Sequence, residues 1–404
     1  MNVLFLVRIG NKRGEKMKFL NDKSILQLKQ FYIFMFFAMG SVNPLLSVYL
    51  SDVENLNGYQ IGFIMSLTPI ITIFFQPIWG LIADKLKKPL TILQLTTISA
   101  AIFMIGYAWF SGFYLIVLVA VVLSVFQSAM IPLADSITVV HTTKMKYNYG
   151  NVRLFGSLGY AVAVVIMGYL SDMEPSLIFY GASLSLFVAF LITTKMPKIE
   201  YEEETLKQPF WSSLSKLLKQ KEFILYLIIT FLIFGPNMAN NSYWGLLIED
   251  VGGTYTTIGV MFFIAVISEI PFMNLFNKIV QRVGILNITL LAGGVALVRW
   301  IIYYSEPSLW LLYSTAVLQG VTIGFMIPAG LQFVKKIVSP TVAISAITIY
   351  SAVANGLGNW FSTFLSGIIL ENQSVYEVYL LYIIQTIIGL IIIVYLKKIK
   401  PAIE

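Results

Sequence analysis

Three ionisable residues interrupt stretches that are otherwise free of charge: Asp135, Glu269 and Arg299; a fourth, Arg153, stands at the edge of such a stretch. A charge at the centre of a membrane-crossing helix costs ~2.5–3.5 kcal/mol on insertion scales, so groups kept there are candidates for function. Glu269 follows Asp250 after a long uncharged run and precedes Lys278. Burial disfavours an ionised carboxyl and a neighbouring arginine favours it, so an acid under both influences can take up and release a proton as its surroundings change. Arg299, in the next uncharged stretch, is the expected partner. Two readings stand. Either Glu269 carries a coupling proton or contacts a solute and Arg299 modulates it, or the two form a static ion pair. Asp135 and Arg153 also read two ways, as a solute-contacting pair across two consecutive helices or as a gate near the membrane face.

Neutral amides form the second group: Asn43 beside Pro44, Gln76, Gln127, Asn237, Asn240, Asn241, Asn355 and Asn359. Asn237 and Asn241 are four apart, as are Asn355 and Asn359, so each pair shares a helix face. Amides donate and accept hydrogen bonds, which suits hydroxyl-rich ligands; the alternative is that they bind helices to one another. Tyr243, Trp244 and Trp360 could stack on a sugar or base, or sit at the membrane interface. The single histidine, His141, reads as interfacial. With one His and no Cys, thiol chemistry and a histidine-rich metal site are excluded. No cofactor is expected. The expected coupling ion is a proton, with sodium held by carbonyls and amides as the alternative.

The elements that must position these residues follow from the scarcity of charge. Charged residues are 12% of the 404, hydrophobic ones 58%, and the mean hydropathy is +0.81. Uncharged stretches run over 30–51, 55–83, 89–134 (two spans, turning at Ser111-Gly112), 154–171, 175–194, 223–248, 251–277 (broken by Glu269), 283–305 (broken by Arg299), 307–334, 337–370 and 378–396. These make twelve candidate spans, each near or above the ~20 residues a spanning helix needs. Every Lys and Arg except Arg299 lies before span 1, after an even-numbered span, or in the tail. The intervening loops carry acids instead: Asp52, Glu54, Asp172, Glu174, Glu249, Asp250, Glu306, Glu371 and Glu377. The positive-inside rule then puts both termini in the cytoplasm of a cell whose inner (plasma) membrane holds the chain. The net charge of +7 reflects that anchoring, and no nucleic-acid partner is expected.

Residues 1–27 read as a cytoplasmic tail, with Met17 as a candidate translation start because the preceding Arg13-Gly14-Glu15 resembles an encoded ribosome-binding site. Residues 28–194 make a first six-helix bundle, 195–222 a charged cytoplasmic linker, and 223–404 a second six-helix bundle with a short tail. Within the linker, Trp211 to Leu218 fits either a short amphipathic surface helix or plain chain. The halves echo each other. Ala129-Met130-Ile131-Pro132 matches Phe325-Met326-Ile327-Pro328 at an offset of 196, and Gly80…Asp84…Lys88 matches Asn274…Lys278…Arg282 at 194. A shared offset near half the chain points to a duplicated unit.

Gly80-Leu81-Ile82-Ala83-Asp84-Lys85-Leu86-Lys87-Lys88 resembles the G-x-x-x-D-x-x-x-R/K signature of the major facilitator superfamily, in its usual place after span 2. There the glycine allows close helix approach and the charges pair and cap helix ends. Tyr149 to Gly159 and Ile267-Ser268-Glu269-Ile270-Pro271-Phe272 resemble the branch of that superfamily holding the lactose permease, the phenylpropionate permease and the nucleoside–proton symporters. The likeness runs from about residue 28 to the end. It implies cation-coupled uptake by alternating access. One departure stands out. The lactose permease carries a His and a Glu on span 10 for proton coupling, whereas span 10 here offers Gln319, Thr322 and Gln332. Span 5 has Gly156, Gly159 and Gly168 but no proline, unlike the drug exporters of the superfamily, which favours import.

The expected architecture is all-helical and membrane-integral. Two pseudo-symmetric six-helix bundles enclose a cavity near the midplane, and the protein is a monomer in the bilayer. The expected function is proton-coupled uptake of a small polar solute, a sugar, oligosaccharide or nucleoside. Glu269 and Arg299 would serve coupling. Asn43, Gln127, Asp135, Arg153, Asn237, Asn241, Asn355 and Asn359 would contact the solute, and Gly80, Asp84 and Lys88 would gate. Alternatives are uptake of an aromatic carboxylate clamped by Arg153 and Arg299, or proton-antiport efflux. A sensor built on the fold would need an added signalling domain. An enzyme would need catalytic groups closer together than these scattered acids.

Overall fold

The computed structural model describes residues 23–196, 217, 219–339 and 342–399. Met17 and most of the N-terminal tail, the bulk of the linker including Trp211, and the last five residues lie outside the described residues. The described elements are helices throughout. The first six are α1 (Lys23–Asp52), α2 (Gly58–Leu86), α3 (Pro89–Trp109), α4 (Phe113–Lys144), α5 (Tyr149–Ser171) and α6 (Leu177–Thr193). The second six are α7 (Lys221–Asp250), α8 (Tyr255–Val283), α9 (Ile285–Tyr304), α10 (Leu309–Ile337), α11 and α12 (Val375–Ile399). Helix α11 runs as Ala343–Ser351, a π-helical stretch Ala352–Gly358, and Asn359–Asn372. By length and apolarity, ten of these helices can cross a bilayer. Helix α6 is shorter and α11 is interrupted, but each occupies its expected place among the twelve spans.

Helix starts recur at matching places in the two halves. Asn57 caps α2 in a capping box with Gln60, and Thr254 caps α8 through its hydroxyl. Such side chains satisfy the free N–H groups of a first turn. Prolines sit inside α2, α4, α7, α8 and α10, which is tolerated where neighbouring groups take over the freed carbonyls. After Pro236, the Asn237 side chain donates to the Ile233 carbonyl at 2.8 Å. Helix α1 breaks into a turn at Asn43-Pro44-Leu45, because proline disfavours helical geometry in the residue before it.

The packing pattern repeats. In the first set, α1 lies on α5 and α6, α2 on α4, and α3 on α4 and α6. In the second, α7 lies on α11 and α12, α8 on α10, and α9 on α10 and α12. Two large crossings join the sets, α2 with α11 and α5 with α8, and a smaller contact sets the end of α1 on α7. Lipid offers helices little hydrophobic drive to associate, so close backbone approach through small residues carries such contacts. A Cβ on Gly62 would fall 2.4 Å from Gly367 Cα, and one on Gly259 would fall 2.1 Å from the Val164 carbonyl and 3.4 Å from Gly168 Cα. The two crossings are therefore symmetry-related glycine contacts.

Both crossings lie towards the face that carries the acidic loops. There Asp172 accepts from the Thr254 hydroxyl (3.1 Å) and from the Thr256 N–H, Glu371 accepts from the Tyr59 N–H (3.3 Å), and Tyr255 donates to Asp52 (3.5 Å). These contacts tie one set to the other and close the acidic face. On the opposite, basic face the two sets stand apart at the signature after α2. A Cβ on Gly80 would meet nothing within 4 Å. Asp84 and Lys88 are exposed and do not pair with each other. In this conformation Gly80 therefore has no close helix neighbour.

Candidate functional site

Between the two sets lies a cavity of about 260 Å³, lined by α1, α2, α3, α4, α7 and α11. Four of the amides singled out in the sequence meet there: Asn43, Gln127, Asn241 and Asn359. The break in α1 exposes Asn43, whose helical neighbours are buried. Thr68 and Ser124 face each other across the same space at 2.8 Å. No Asp, Glu, His, Lys or Arg lines it; Met39, Met65, Met104 and Tyr107 supply much of the rest. A second space of about 580 Å³ shares Thr68, Pro69 and Asn359 and runs along α2 to Gln76 and Pro77, towards the basic face. Asn355 lines it from the π-helical stretch of α11. A π stretch inside an α-helix often marks a functional position. Together the spaces form a pathway closed at the acidic face and continued towards the basic one.

Asn237 belongs elsewhere. It is 2% exposed and accepts from Arg299 Nη1 at 3.5 Å. The expectation that it contacts a solute is corrected: a helix face is wide enough for Asn241 to reach the cavity while Asn237, one turn away, turns into its own bundle. Arg299 is wholly buried. Its Nη2 donates to Gln319 Oε1 at 3.1 Å, and its guanidinium lies over the rings of Trp300 (4.8 Å) and Tyr303 (5.5 Å). The expected Glu269–Arg299 pair does not form, because α9 packs on α10 and α12 and scarcely on α8. Arginine's partners are amides and aromatic faces, and cation–π contacts gain strength where water is absent.

Glu269 sits on α8 within electrostatic reach of Tyr160 of α5. Its backbone carbonyl lies 3.0 Å from the place a Cβ on Gly324 of α10 would take. Among the described residues it has no cationic partner. It stands ten residues from Gly259, roughly 15 Å along the helix towards the basic face.

Asp135 and Arg153 do come together across α4 and α5, with Arg153 Nε 3.8 Å from Asp135 Oδ1 and the side chains 32% and 30% exposed. Tyr32 of α1 donates to the same oxygen at 2.5 Å. Arg153 also covers Phe36 at 4.1 Å and Tyr32 at 5.6 Å. Asp135 is eight residues beyond Gln127, roughly 12 Å further along α4, and neither it nor Arg153 lines the 260 Å³ cavity. The pair joins α1, α4 and α5 on the basic side of the solute space. The Tyr32 hydrogen bond to the Asp135 carboxylate, with the Arg153 charge beside it, holds these helix ends in register. Asp135→Asn is expected to lower the melting temperature by a few degrees and leave solute affinity within about twofold, measured by thermal shift and equilibrium binding.

The aromatic candidates do not reach the cavity. Trp244 is fully buried against Phe262 and Tyr303, and Tyr243 donates to the Thr363 carbonyl at 2.6 Å. Trp360 stacks on Phe364. Thr68, Ser124 and Tyr107, which also line the cavity, carried no signal in the sequence. Tyr32 gives no spacing signal among the phenylalanines of α1. Gln319 was legible only as a polar residue of span 10.

The chain matches the family model described as MFS_1 like over residues 25–381. It is 43% identical to an uncharacterized transporter of Bacillus subtilis (strain 168), over 92% of this chain and 93% of that protein. It is 42% identical to the maltose permease of Geobacillus stearothermophilus, over 91% and 93%. Its fold matches the crystal structure of the nucleoside transporter NupG with a TM-score of 0.83 at 19% identity, covering 93% of this chain and 99% of that one.

Proposed function

This chain belongs to the MFS_1 like family of solute transporters, and from that premise we propose that it takes up a sugar, with maltose the leading candidate, driven by protons through alternating access. The observation that carries the reading is the charge-free cavity with four amides converging on it. Hydroxyl groups pair with amides in either direction, and a neutral solute needs no buried counter-charge. The two connected spaces together fall in the usual ligand range of roughly 300–1,000 Å³. The relative named maltose permease covers nearly the whole chain. An aromatic carboxylate is the weaker reading, because its expected clamp is absent from the cavity: Arg299 is buried behind Gln319, and Arg153 is held by Asp135 and Phe36.

In the proposed cycle the present conformation opens to the basic face, which the positive-inside rule assigns to the cytoplasm. That assignment puts both termini inside, in the cell's plasma membrane, with a monomer as the working unit. Outward opening separates the glycine crossings Gly62–Gly367 and Gly259–Gly168 and brings the basic ends together, so that Gly80, Asp84 and Lys88 gain the partners they lack here. Glu269, roughly 15 Å along α8 from the Gly259 contact that must part, is the proposed proton carrier. An unpaired charge at that depth is costly, and protonation removes that cost.

The test is a thermal-shift comparison on the purified protein. Maltose is expected to raise the melting temperature, and uridine and phenylpropionate to leave it unchanged; stabilisation by either of those and not by maltose overturns the sugar reading. Asn241→Ala and Asn359→Ala are each expected to weaken maltose binding about tenfold, the effect of one lost hydrogen bond in a closed site. Asn237→Ala should chiefly lower stability, since it leaves Arg299 short of an acceptor.

A further inference from the structure

Arginine can only donate, and that fixes the direction of a chain of amides running from the interior of the second bundle to the cavity. Arg299 Nη2 donates to Gln319 Oε1 at 3.1 Å, which leaves Gln319 with only its Nε2 to offer. That nitrogen donates to Asn241 Oδ1 at 3.4 Å. The Asn241 carbonyl thus accepts on the protein side, and Asn241 lines the cavity, so its NH2 is the end of the amide left without a protein partner in this chain of bonds. A second branch has the same sense: Arg299 Nη1 donates to Asn237 Oδ1, and Asn237 Nδ2 donates to the Ile233 carbonyl. This rigidity sets Asn241 apart from Asn359, whose partner is the Thr363 hydroxyl at 3.0 Å. A hydroxyl serves as donor or acceptor, so Asn359 is free to present either end of its amide.

We propose that Arg299 is a positioning residue that fixes the polarity of the cavity wall, so that Asn241 presents an N–H donor and the transporter reads an acceptor oxygen of its solute at that point. Arg299 touches no solute. It acts through Gln319, and its charge strengthens each link, since hydrogen bonds from an ionised donor are stronger than neutral ones and polarise the next in line. Ring, glycosidic and hydroxyl oxygens all satisfy such a donor. A group that can only donate does not, and the site discriminates against it because a buried N–H would be left unpaired. The consequence for solute choice rests on the proposed sugar reading; the direction of the relay does not.

The relay is tested without any solute by melting temperatures. In the wild-type background Asn241→Asp keeps an acceptor opposite Gln319 Nε2, so its melting temperature should stay within a degree or two. In the Gln319→Glu background Arg299 remains satisfied, but a carboxylate now faces position 241. There the same Asn241→Asp change should lower the melting temperature by on the order of 5 °C, because two acids meet. Equal shifts in both backgrounds, or destabilisation by Asn241→Asp alone, overturn the relay. Binding then reads the wall directly. Asn241→Asp removes the cavity-facing donor and should weaken maltose binding about tenfold; unchanged affinity would mean that Asn241 turns its carbonyl to the solute. In Gln319→Glu, Asn241 must flip, and the preference for a deoxyfluoro over a deoxy analogue of maltose at the contacted position should vanish. If it persists, the proposed polarity is wrong. Failure of maltose to bind the wild type, with the melting pattern intact, would overturn the sugar reading and leave the relay standing.

Discussion

Replacing Gly62 and Gly259 together by leucine is expected to hold the acidic face open and to abolish uptake. A Cβ at either position already falls within 2.1–2.4 Å of the facing helix's backbone. Backbone cannot yield as a side-chain tip can, so α2 must leave α11 and α8 must leave α5. Overpacking costs ~1–3 kcal/mol per site. The closed state therefore loses on the order of 10²-fold or more in population against the open one when both are changed. The pair should act together, because each crossing is the symmetry counterpart of the other. The chain has no cysteine, so a single cysteine placed at Ser242 in the cavity reports on itself alone. Its reaction with a membrane-impermeant maleimide from the acidic side should rise sharply in the double variant, while the melting temperature records a folded protein. Unchanged labelling would mean that the crossings do not seal that face.

Glu269→Gln is expected to remove proton-driven accumulation, reducing the steady-state gradient at least 100-fold in an order-of-magnitude sense, while exchange of labelled for unlabelled solute continues. Glutamine keeps the shape and the hydrogen-bonding reach of the protonated acid, so the helix crossing survives. What it cannot do is give up a proton. Among the described residues Glu269 has no cationic partner, and Arg299 is occupied by Gln319 and Asn237. The proton carrier is thus proposed to work without the arginine partner expected from the sequence. If Glu269→Gln still accumulates solute against a gradient, the proton travels by another group. Exchange that fails along with accumulation would make Glu269 part of the binding site.

Much of this was legible beforehand because bilayer thickness writes itself into the spacing of charges. The gaps between basic and acidic loops located the twelve described spans, and the echo of Pro132 in Pro328 anticipated a packing pattern that repeats between the halves. Asn43, Gln127, Asn241 and Asn359 were legible as polar groups without charge in apolar runs. What spacing could not give was which helix each side chain faces. Arg299 follows Glu269 by one span, yet α9 turns its polar residue towards α7 and α10. Asn237 and Asn241 share a face by periodicity, yet the cavity edge runs between them. That Gly80 has no neighbour in this conformation is likewise beyond the reach of spacing. The π stretch of α11 coincides with Asn355-Gly356-Leu357-Gly358, where two glycines follow the amide, but its pathway-lining role required the neighbouring helix.

The central claim is inward transport of a neutral sugar coupled to protons. Its most direct measurement is the accumulation of radiolabelled maltose by proteoliposomes holding the purified protein, with an imposed pH gradient, alkaline inside. Accumulation that collapses on adding a protonophore, and that is weakened by Asn241→Ala, is the predicted result. No accumulation in either orientation of the gradient, or expulsion of preloaded maltose against its gradient when protons flow inwards, would contradict it.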